Sequence, residues 1–256
     1  GSPETALELA KSKRFKVLDG ASTSDMILST NNKAEPFNNL KVRQAMAHAI
    51  DRQMIIDLAM SGFGTPIGSH WSPAAPYYVD MAGTYPYDLE KAKQLLAEAG
   101  YPGGFEAVLQ VPPKYAYTVR VGEVLVDQFS KIGIRLKMEN IEWGQWIKRI
   151  FLNKEYQLTI IGHAEAWDIG IYANPKYYFQ YDSQEFRDAY AKALKAPNEK
   201  EKAKWFGETQ RIIARDAVNG FLISSPSLPV MKAEVMGWWK NYPTIALDCT
   251  KVWLKK

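Results

Sequence analysis

The chain has 256 residues, enough for one large or two ordinary domains with a substantial hydrophobic core. Its side chains are 46% hydrophobic and 23% charged, and its net charge of +4 arises from residues spread along the sequence. It has no basic block with interleaved aromatic residues, which argues against a nucleic-acid-binding module, and no apolar run near the roughly 20 residues of a membrane span.

The first third of the chain is predicted to form short elements followed by two amphipathic helices. The short elements are a helix over residues 5–13 and strands over residues 15–18 and 26–29. Residues 36–62 read PFNNLKVRQAMAHAIDRQMIIDLAMSG, with apolar residues at i, i+4, i+7 and i+8 from Val42, one face of a helix. Asp51 is placed to cap a second helix and Gly62 to end it.

The middle of the chain alternates between strand and helix patterns. Residues 64–87 carry four prolines, and a loop of that length is usually functional or rests against another domain. Asp88 then caps the clearest helix, which Gly100 ends. The elements that follow are strands over 105–111, 134–141 and 156–162, separated by helices over 117–132 (ended by Gly133) and 143–151. This order predicts an α/β fold with crossover connections.

The last quarter of the chain is predicted to add two helices and short closing strands. The helices span residues 183–195 and 199–217, and the strands span 221–223, 228–231 and 251–254. The lone cysteine, Cys249, is interpreted as a small packing residue, because one thiol forms no disulfide within the chain.

The known catalytic and metal-binding motifs are absent from the sequence. The three histidines are far apart, and the chain has no HExxH, GxSxG, GxxxxGK[ST] or GxGxxG pattern. The sequence therefore predicts no catalytic residues, no metal site and no cofactor.

A candidate binding segment follows the strand predicted over residues 156–162. It reads HAEAWDIGIYANPKYYFQYDS, and ligands of open α/β sheets collect at the carboxyl ends of strands. Its carboxylates and aromatic rings suit a ligand ammonium group. The candidate contact residues are His163, Glu165, Trp167, Asp168 and Tyr172. Tyr177, Tyr178 and Tyr181 either join them or only pack the loop.

Two tryptophans at the start of the helix predicted over 143–151 form a second candidate. Trp143 and Trp146 are one turn apart, so their rings face the same way. Trp146 belongs with the apolar face of that helix and is interpreted as structural. Trp143 follows a strand end, where side chains reach a cleft, and is predicted to contact ligand.

Four segments in sequence order resemble the solute-binding proteins of ABC transporters, family 5, which handle peptides, nickel and related ligands. The segments are VRQAMAHAIDRQMI, YPYDLEKAKQLLAEAGYPGGF, FSKIGIRLKMENIEW and VMGWWKNYPTIALDCTKVWLKK. Proteins of this family are about twice as long, with two lobes joined by a hinge and the ligand between them. The resemblance implies a periplasmic-binding-protein-like fold (type II, cluster C), with a mixed sheet flanked by helices.

The resemblance also implies a domain organisation and a function. Residues 1–34 would link from a missing N-terminal lobe, residues 35–223 would form the C-terminal ligand-binding lobe, and residues 224–256 would return to the first lobe. The expected protein is a periplasmic or lipid-anchored receptor that captures a small-molecule or peptide ligand for ABC permease subunits. It would bind no nucleic acid.

The same resemblance bears on individual residues. In peptide receptors of this family a Trp after a Glu lines the pocket, which corresponds here to Trp143 after Glu142. An Asp soon after the next strand holds the peptide ammonium there. The usual Gly-Trp start of that loop is Gly162-His163 here, with the acid displaced to Glu165 or Asp168. This departure leaves open an opine, an amino-acid conjugate or a sugar as the ligand.

Two other classes of function remain as alternatives. A hydrolase or transferase would use Glu165 and Asp168 as its acid and base, and a strongly raised carboxylate pKa in a closed pocket would favour it. An aromatic-rich protein-interaction module would instead display a contiguous exposed apolar patch.

Overall fold

The computed structural model describes residues 3–165, 168–241 and 248–255 of the chain. Its helices are α1 (Pro3–Ala10), α2 (Leu40–Ala49), α3 (Arg52–Ala59), α4 (Leu89–Glu98), α5 (Ala116–Ser130), α6 (Trp143–Gln145), α7 (Gln184–Leu194) and α8 (Glu199–Arg215). Its strands are β1 (Phe15–Val17), β2 (Gly20–Thr30), β3 (Thr65–Pro66), β4 (Glu106–Val111), β5 (Arg135–Asn140), β6 (Leu158–His163), β7 (Gly220–Ser227), β8 (Val230–Lys232), β9 (Val235–Met236) and β10 (Trp253–Leu254). A π-helix spans Trp146–Leu152 and a 3-10 helix spans Asp168–Ala173.

A six-stranded mixed sheet in the order β3-β7-β2-β6-β4-β5 forms the centre of the fold. β4 runs parallel to both β5 and β6, so the predicted crossover connections are confirmed. β2 lies antiparallel to β6 and to β7, and β3 lies antiparallel to β7 at the edge. The prediction of an α/β fold with a mixed sheet flanked by helices is therefore confirmed.

The two sides of the sheet are covered differently, because alternate residues of each strand point to opposite sides. On one side, here called the apolar face, Met26, Leu28, Leu158 and Ile160 pack under α2, α3, α4 and α5. The other side is here called the aromatic face. The side chains that point to it are those of Asp25, Ile27 and Ser29 of β2 and of Thr159, Ile161 and His163 of β6. That side is covered by α7, α8, the π-helix and the 3-10 helix, with many aromatic side chains between them.

The helix boundaries follow the capping signals in the sequence. Asp51 accepts a hydrogen bond from the backbone N–H of Met54 at 3.0 Å, and Asp88 caps the start of α4 in the same way at 2.8 Å. Gly100 and Gly133 follow α4 and α5 with φ of 93° and 84°, the left-handed conformation that glycine adopts without strain. The predicted starts and stops of these helices are confirmed.

The helix predicted over residues 143–151 is wrong in type. Only Trp143–Gln145 is α-helical, and Trp146–Leu152 is a π-helix, in which Asn153 donates its N–H to the carbonyl of Lys148. The 3.6-residue period of the apolar side chains does not reveal this wider turn, which is often found at functional sites.

Some strands extend beyond their predicted bounds. β2 is 11 residues long, so the segment predicted to link from another lobe contributes a central strand to the sheet. β8 pairs with β1, and β10 pairs with β9, each as a two-stranded antiparallel sheet. Among the described residues, no helix is both long and apolar enough to span a membrane.

Candidate functional site

A cavity of about 380 Å³ opens at the carboxyl end of β6, on the aromatic face of the sheet. One wall is aromatic and the other carries polar groups from the end of β6 and the start of the 3-10 helix. The aromatic wall includes Trp143, Trp146, Phe151, Tyr177 and Tyr178. The polar wall includes Gly162, His163, Glu165 and Asp168. The cavity thus lies where the sequence predicted a binding segment.

The two tryptophans of the aromatic wall have different surroundings. Their rings stack with centroids 4.9 Å apart, as the spacing predicted. Trp146 is buried, and its Nε1 donates a hydrogen bond to Thr159 Oγ1 at 3.0 Å. Trp143 is half-buried at the cavity, with Lys114 Nζ 5.4 Å from its ring centroid. The structural interpretation of Trp146 is confirmed. Trp143 lines the cavity, with its ring stacked on Trp146 and with Tyr115 packed against it at a right angle.

The polar wall centres on one carboxylate held by two imidazoles. Asp168 begins the 3-10 helix, and its Oδ2 accepts a hydrogen bond from Nδ1 of His163 at 3.1 Å. Its other oxygen, Oδ1, accepts from Nε2 of His70 at 2.7 Å. His70 lies in the long proline-bearing loop and is buried, 98 positions away from Asp168 in sequence. The fold therefore brings His70, Asp168 and His163 together as one cluster. Their spacing in the sequence does not predict it.

The outer nitrogens of both imidazoles contact buried tyrosine hydroxyls. His70 Nδ1 lies 3.1 Å from the hydroxyl of Tyr172, which also accepts a hydrogen bond from Asn219. His163 Nε2 lies 3.1 Å from the hydroxyl of Tyr178, which is bonded in turn to Ser29. Each ring is therefore contacted at both nitrogens, so its orientation is set by the protein before any ligand arrives.

The three groups of the cluster have shifted pKa values. Burial favours the neutral form of His70, but the charge of Asp168 and its hydrogen bond outweigh burial and raise the pKa of His70. Burial alone would raise the pKa of Asp168, yet the charge of His70 and the hydrogen bonds from both imidazoles hold it well below its usual value. Burial and the charge of His70 lower the pKa of His163. The shifts therefore favour the charged forms of His70 and Asp168 and the neutral form of His163.

A second buried carboxyl group lies beside this cluster. Asp25 of β2 is paired directly opposite His163 of β6, so the two side chains are neighbours on the aromatic face. Burial raises the pKa of Asp25 to about 7, against the opposing effect of the His70 charge. Its Oδ1 is buried and has no hydrogen-bond partner among the described residues.

The structure brings some of the predicted contact residues together and separates others. Trp143, His163, Glu165 and Asp168 all line the cavity, and Glu165 is exposed. Tyr172 is buried behind His70, where its hydroxyl contacts the imidazole instead of the cavity. The predicted contact residue Trp167 lies outside the described residues.

Three polar side chains near the cavity were not found by sequence reasoning. His70 lies far from the other histidines in sequence, Asp25 directly precedes the strand predicted over residues 26–29, and Ser29 ends it. The one usable signal was the length of the loop over residues 64–87, because such loops are commonly functional. His70, His163 and Asp168 each place a ligand atom within 4.8 Å of the others, although the sequence predicted no metal site.

The geometry does not support Asp168 as the acid of an acid–base pair. A general acid needs a carboxyl whose pKa is raised towards neutral pH. The pKa of Asp168 is lowered instead, because the carboxylate accepts hydrogen bonds from two imidazoles. Asp168 is thus suited to hold a positive group and poorly suited to donate a proton.

Comparison with known proteins gives one family. The sequence model of the bacterial extracellular solute-binding proteins, family 5, matches residues 1–189 of the chain. Heme-binding protein A of Haemophilus influenzae is 31% identical over 229 residues, which cover 82% of this chain and 41% of that protein. Glutathione-binding protein GsiB of Salmonella choleraesuis is 26% identical over 252 residues, covering 92% of this chain and 49% of that protein.

A solved structure agrees with the sequence comparison. The periplasmic binding protein DppA of Helicobacter pylori, an ABC transporter-associated protein in complex with the peptide STSA, superposes with a TM-score of 0.85 at 28% identity. The match covers 100% of this chain and 52% of DppA. The predicted likeness to periplasmic binding proteins is thus confirmed for the fold. The chain spans about half the length of the relatives it matches.

Proposed function

This chain belongs to the bacterial extracellular solute-binding proteins, family 5, and we propose that it forms the ligand-binding lobe of a receptor for a small polar solute. The observation that carries the proposal is the cavity at the end of β6, where a stacked tryptophan pair faces a histidine–carboxylate cluster. Its volume of about 380 Å³ suits a small solute. The receptor would pass that solute to an ABC permease and would act outside the cytoplasm, in the periplasm or on a lipid anchor.

The side chains that line the cavity suit a receptor, which binds a solute without catalysing a reaction. A receptor needs contacts that differ between its open and closed forms, and it needs no nucleophile. The ring of Trp143 offers an aromatic surface at the cavity, and the lowered pKa of Asp168 keeps its carboxylate ionised. Glu165 adds an exposed acid at the rim. These groups are in place before binding, which lowers the ordering cost of capture.

The charges along the cavity favour a zwitterionic solute such as a short peptide or an amino-acid conjugate. Lys114 places a cation over the ring of Trp143, and Glu165 and Asp168 place acids in the lining of the cavity. A solute with an ammonium group and a carboxylate would complement both. Known relatives are named for binding heme, glutathione and a peptide, and two of these three solutes are peptidic.

We assign the remaining parts of the chain to the rest of the receptor. Residues 35–223 would make up most of the lobe, completed in its sheet by β2 and β7. The segments before β2 and after β7 would connect to a second lobe, which closes over the same cavity. The length of the relatives supports this organisation, because the chain covers about half of each.

A ligand screen on the receptor that contains this chain tests the proposal. Thermal shift and calorimetry with dipeptides, tetrapeptides, glutathione, heme and an uncharged oligosaccharide should single out one of the zwitterionic solutes. Glu165→Gln should then weaken binding about tenfold, since a charge-assisted hydrogen bond contributes about 1.5–3 kcal/mol. Trp143→Ala should weaken it by a similar factor.

Trp205→Ala is a matched control for Trp143→Ala. Trp205 is also half-buried, but it lies on α8 under Lys192 and does not line the cavity. Its replacement should leave the affinity unchanged. The proposal fails if none of the charged solutes binds, or if Trp143→Ala and Trp205→Ala have equal effects on binding.

A further inference from the structure

The floor of the cavity holds an unusual set of metal-ligating side chains. Beyond any role in holding a solute, we propose that His70, His163 and Asp168 bind a divalent transition-metal ion. Their ligand atoms all lie within 4.8 Å of one another, and the two histidines are buried. The inference does not depend on the proposed solute, because the ion would bind with no solute present.

The ligand atoms of His70, His163 and Asp168 are spaced almost as they would be around a metal ion. In this structure hydrogen bonds join them directly. His70 Nε2 and His163 Nδ1 lie 2.7 Å and 3.1 Å from the two oxygens of Asp168. Ligand atoms about 2.0–2.2 Å from a tetrahedral ion are about 3.3 Å apart. Side-chain shifts of about an ångström would therefore bring both nitrogens and one oxygen to a common ion.

The groups behind the imidazoles are those that a metal site requires. A metal-bound histidine donates its other ring N–H to a fixed acceptor, which sets the orientation of the ring. The outer nitrogen of His70 faces the hydroxyl of Tyr172, and that of His163 faces the hydroxyl of Tyr178, each at 3.1 Å. Both hydroxyls are buried and held by further hydrogen bonds, from Asn219 and with Ser29.

An independent observation also points to a positive ligand. Asp25 is buried beside His163, and its Oδ1 has no partner among the described residues. An unsatisfied buried carboxyl oxygen costs free energy, whereas a nearby cation or its bound water would satisfy it. Asp25 would not bind the ion directly. Its Oδ1 would accept a hydrogen bond from a water molecule bound to the ion.

The donor set indicates which ions would bind. Two imidazoles and one carboxylate suit Zn²⁺, Co²⁺, Ni²⁺ or Cu²⁺, whereas Mg²⁺ and Ca²⁺ prefer oxygen ligands throughout. His163 and Asp168 line the cavity, so an ion reaches them from solvent without unfolding. The cavity side also leaves room for water or another ligand on the ion.

Titration of the chelator-treated protein with Zn²⁺, and separately with Mg²⁺, tests the proposal. Calorimetry should show one Zn²⁺ per chain and no binding of Mg²⁺. In long-range ¹H–¹⁵N spectra of the imidazoles, two of the three histidines should shift on addition of Zn²⁺. His48→Gln identifies the third, because His48 lies on α2 and contacts the carbonyl of Pro86.

These measurements use the unaltered site, so they do not depend on whether variants fold. His163→Gln should then lower the affinity for Zn²⁺ at least tenfold, and Tyr178→Phe, which removes only the hydroxyl behind the ring, should lower it by a smaller factor. His48→Gln should leave it unchanged. Absence of stoichiometric Zn²⁺ binding, or a shift of His48 alone, would overturn the proposal and leave the proposed solute binding untouched.

Discussion

The apolar face and the aromatic face of the sheet are built on the same strands but differ in how their side chains are held. Leu158 and Ile160 of β6 pack under helices through contacts with no directional requirement. Their neighbours Thr159 and His163 on the other face make specific hydrogen bonds to Trp146, Asp168 and Tyr178.

This difference indicates how one sheet serves two purposes. Apolar packing stabilises the fold through buried area, which many sets of side chains of similar volume supply. A buried polar network has fixed partners, so each member holds another in a defined position. We therefore expect substitutions on the apolar face to change stability alone, and those on the aromatic face to change stability and the cavity together.

The largest effect is expected from Leu158→Ala on the apolar face. Leu158 is fully buried, and removing its side chain should lower the free energy of unfolding by about 2–5 kcal/mol. Leu194→Ala is the control, because Leu194 is 63% exposed and should change stability by about 0.5 kcal/mol or less. Urea denaturation of both variants gives the comparison, and equal losses would contradict the assignment of the apolar face.

Thr159→Val, one position further along β6, should show the second largest effect. Thr159 Oγ1 accepts from Trp146 Nε1 and donates to the carbonyl of Gln110 at 2.6 Å. Valine has the same shape, so the lost hydroxyl leaves buried polar groups unpaired and should cost about 2–3 kcal/mol. Thr159→Ser keeps the hydroxyl and should cost less. If denaturation shows that Thr159→Ser lowers the free energy of unfolding more than Thr159→Val does, the role of this hydroxyl is contradicted.

A smaller effect is expected at Tyr117, where the apolar face meets the end of β6. Burial raises the pKa of Tyr117 to about 12, against a hydrogen bond from the backbone of Gly162. Because the folded state favours the neutral phenol, stability should fall as pH rises above the ordinary pKa of about 10. Between pH 8 and about pH 11, Tyr117→Phe should reduce that fall by about 1 kcal/mol. Equal pH dependence in both proteins would exclude this contribution.

The smallest effect on stability is expected from Trp143→Ala. Trp143 is half-buried at the cavity, and its ring contacts Trp146 and Tyr115 without joining the hydrogen-bond network among the described residues. Its removal should change the free energy of unfolding by about 1 kcal/mol or less, while it weakens solute binding. Denaturation and calorimetry on the same preparation separate the two. A large loss of stability would mean that Trp143 is part of the core, as Trp146 is.

The sequence predicted the apolar face better than the aromatic face. Local signals define α4 and α5, because Asp88, Gly100 and Gly133 mark their ends and their apolar residues follow a helical period. The π-helix was not predicted, because its apolar residues follow the same pattern as those of an α-helix. The order of elements along the chain predicts only part of the sheet, because it does not give the positions and directions of all six strands.

The candidate site was predicted only where it is local in sequence. Trp143 follows β5, His163 is the last residue of β6 and Asp168 follows β6, and the carboxyl end of a strand in an α/β fold indicates a cleft. His70 joins them across 98 positions through the packing of a long loop, which leaves no spacing to recognise. Tyr172 lies in a short 3-10 helix, where no repeat reveals which side faces the cavity.

A crystal structure of the receptor with its solute bound tests the central claim most directly. The account places the solute in the cavity at the end of β6, with its body against the ring of Trp143 and a polar group within hydrogen-bonding distance of Asp168 or Glu165. Electron density for the solute in that position would support the aromatic face as the binding face. Solute bound elsewhere, with Trp143 and Asp168 both uncontacted, would contradict it.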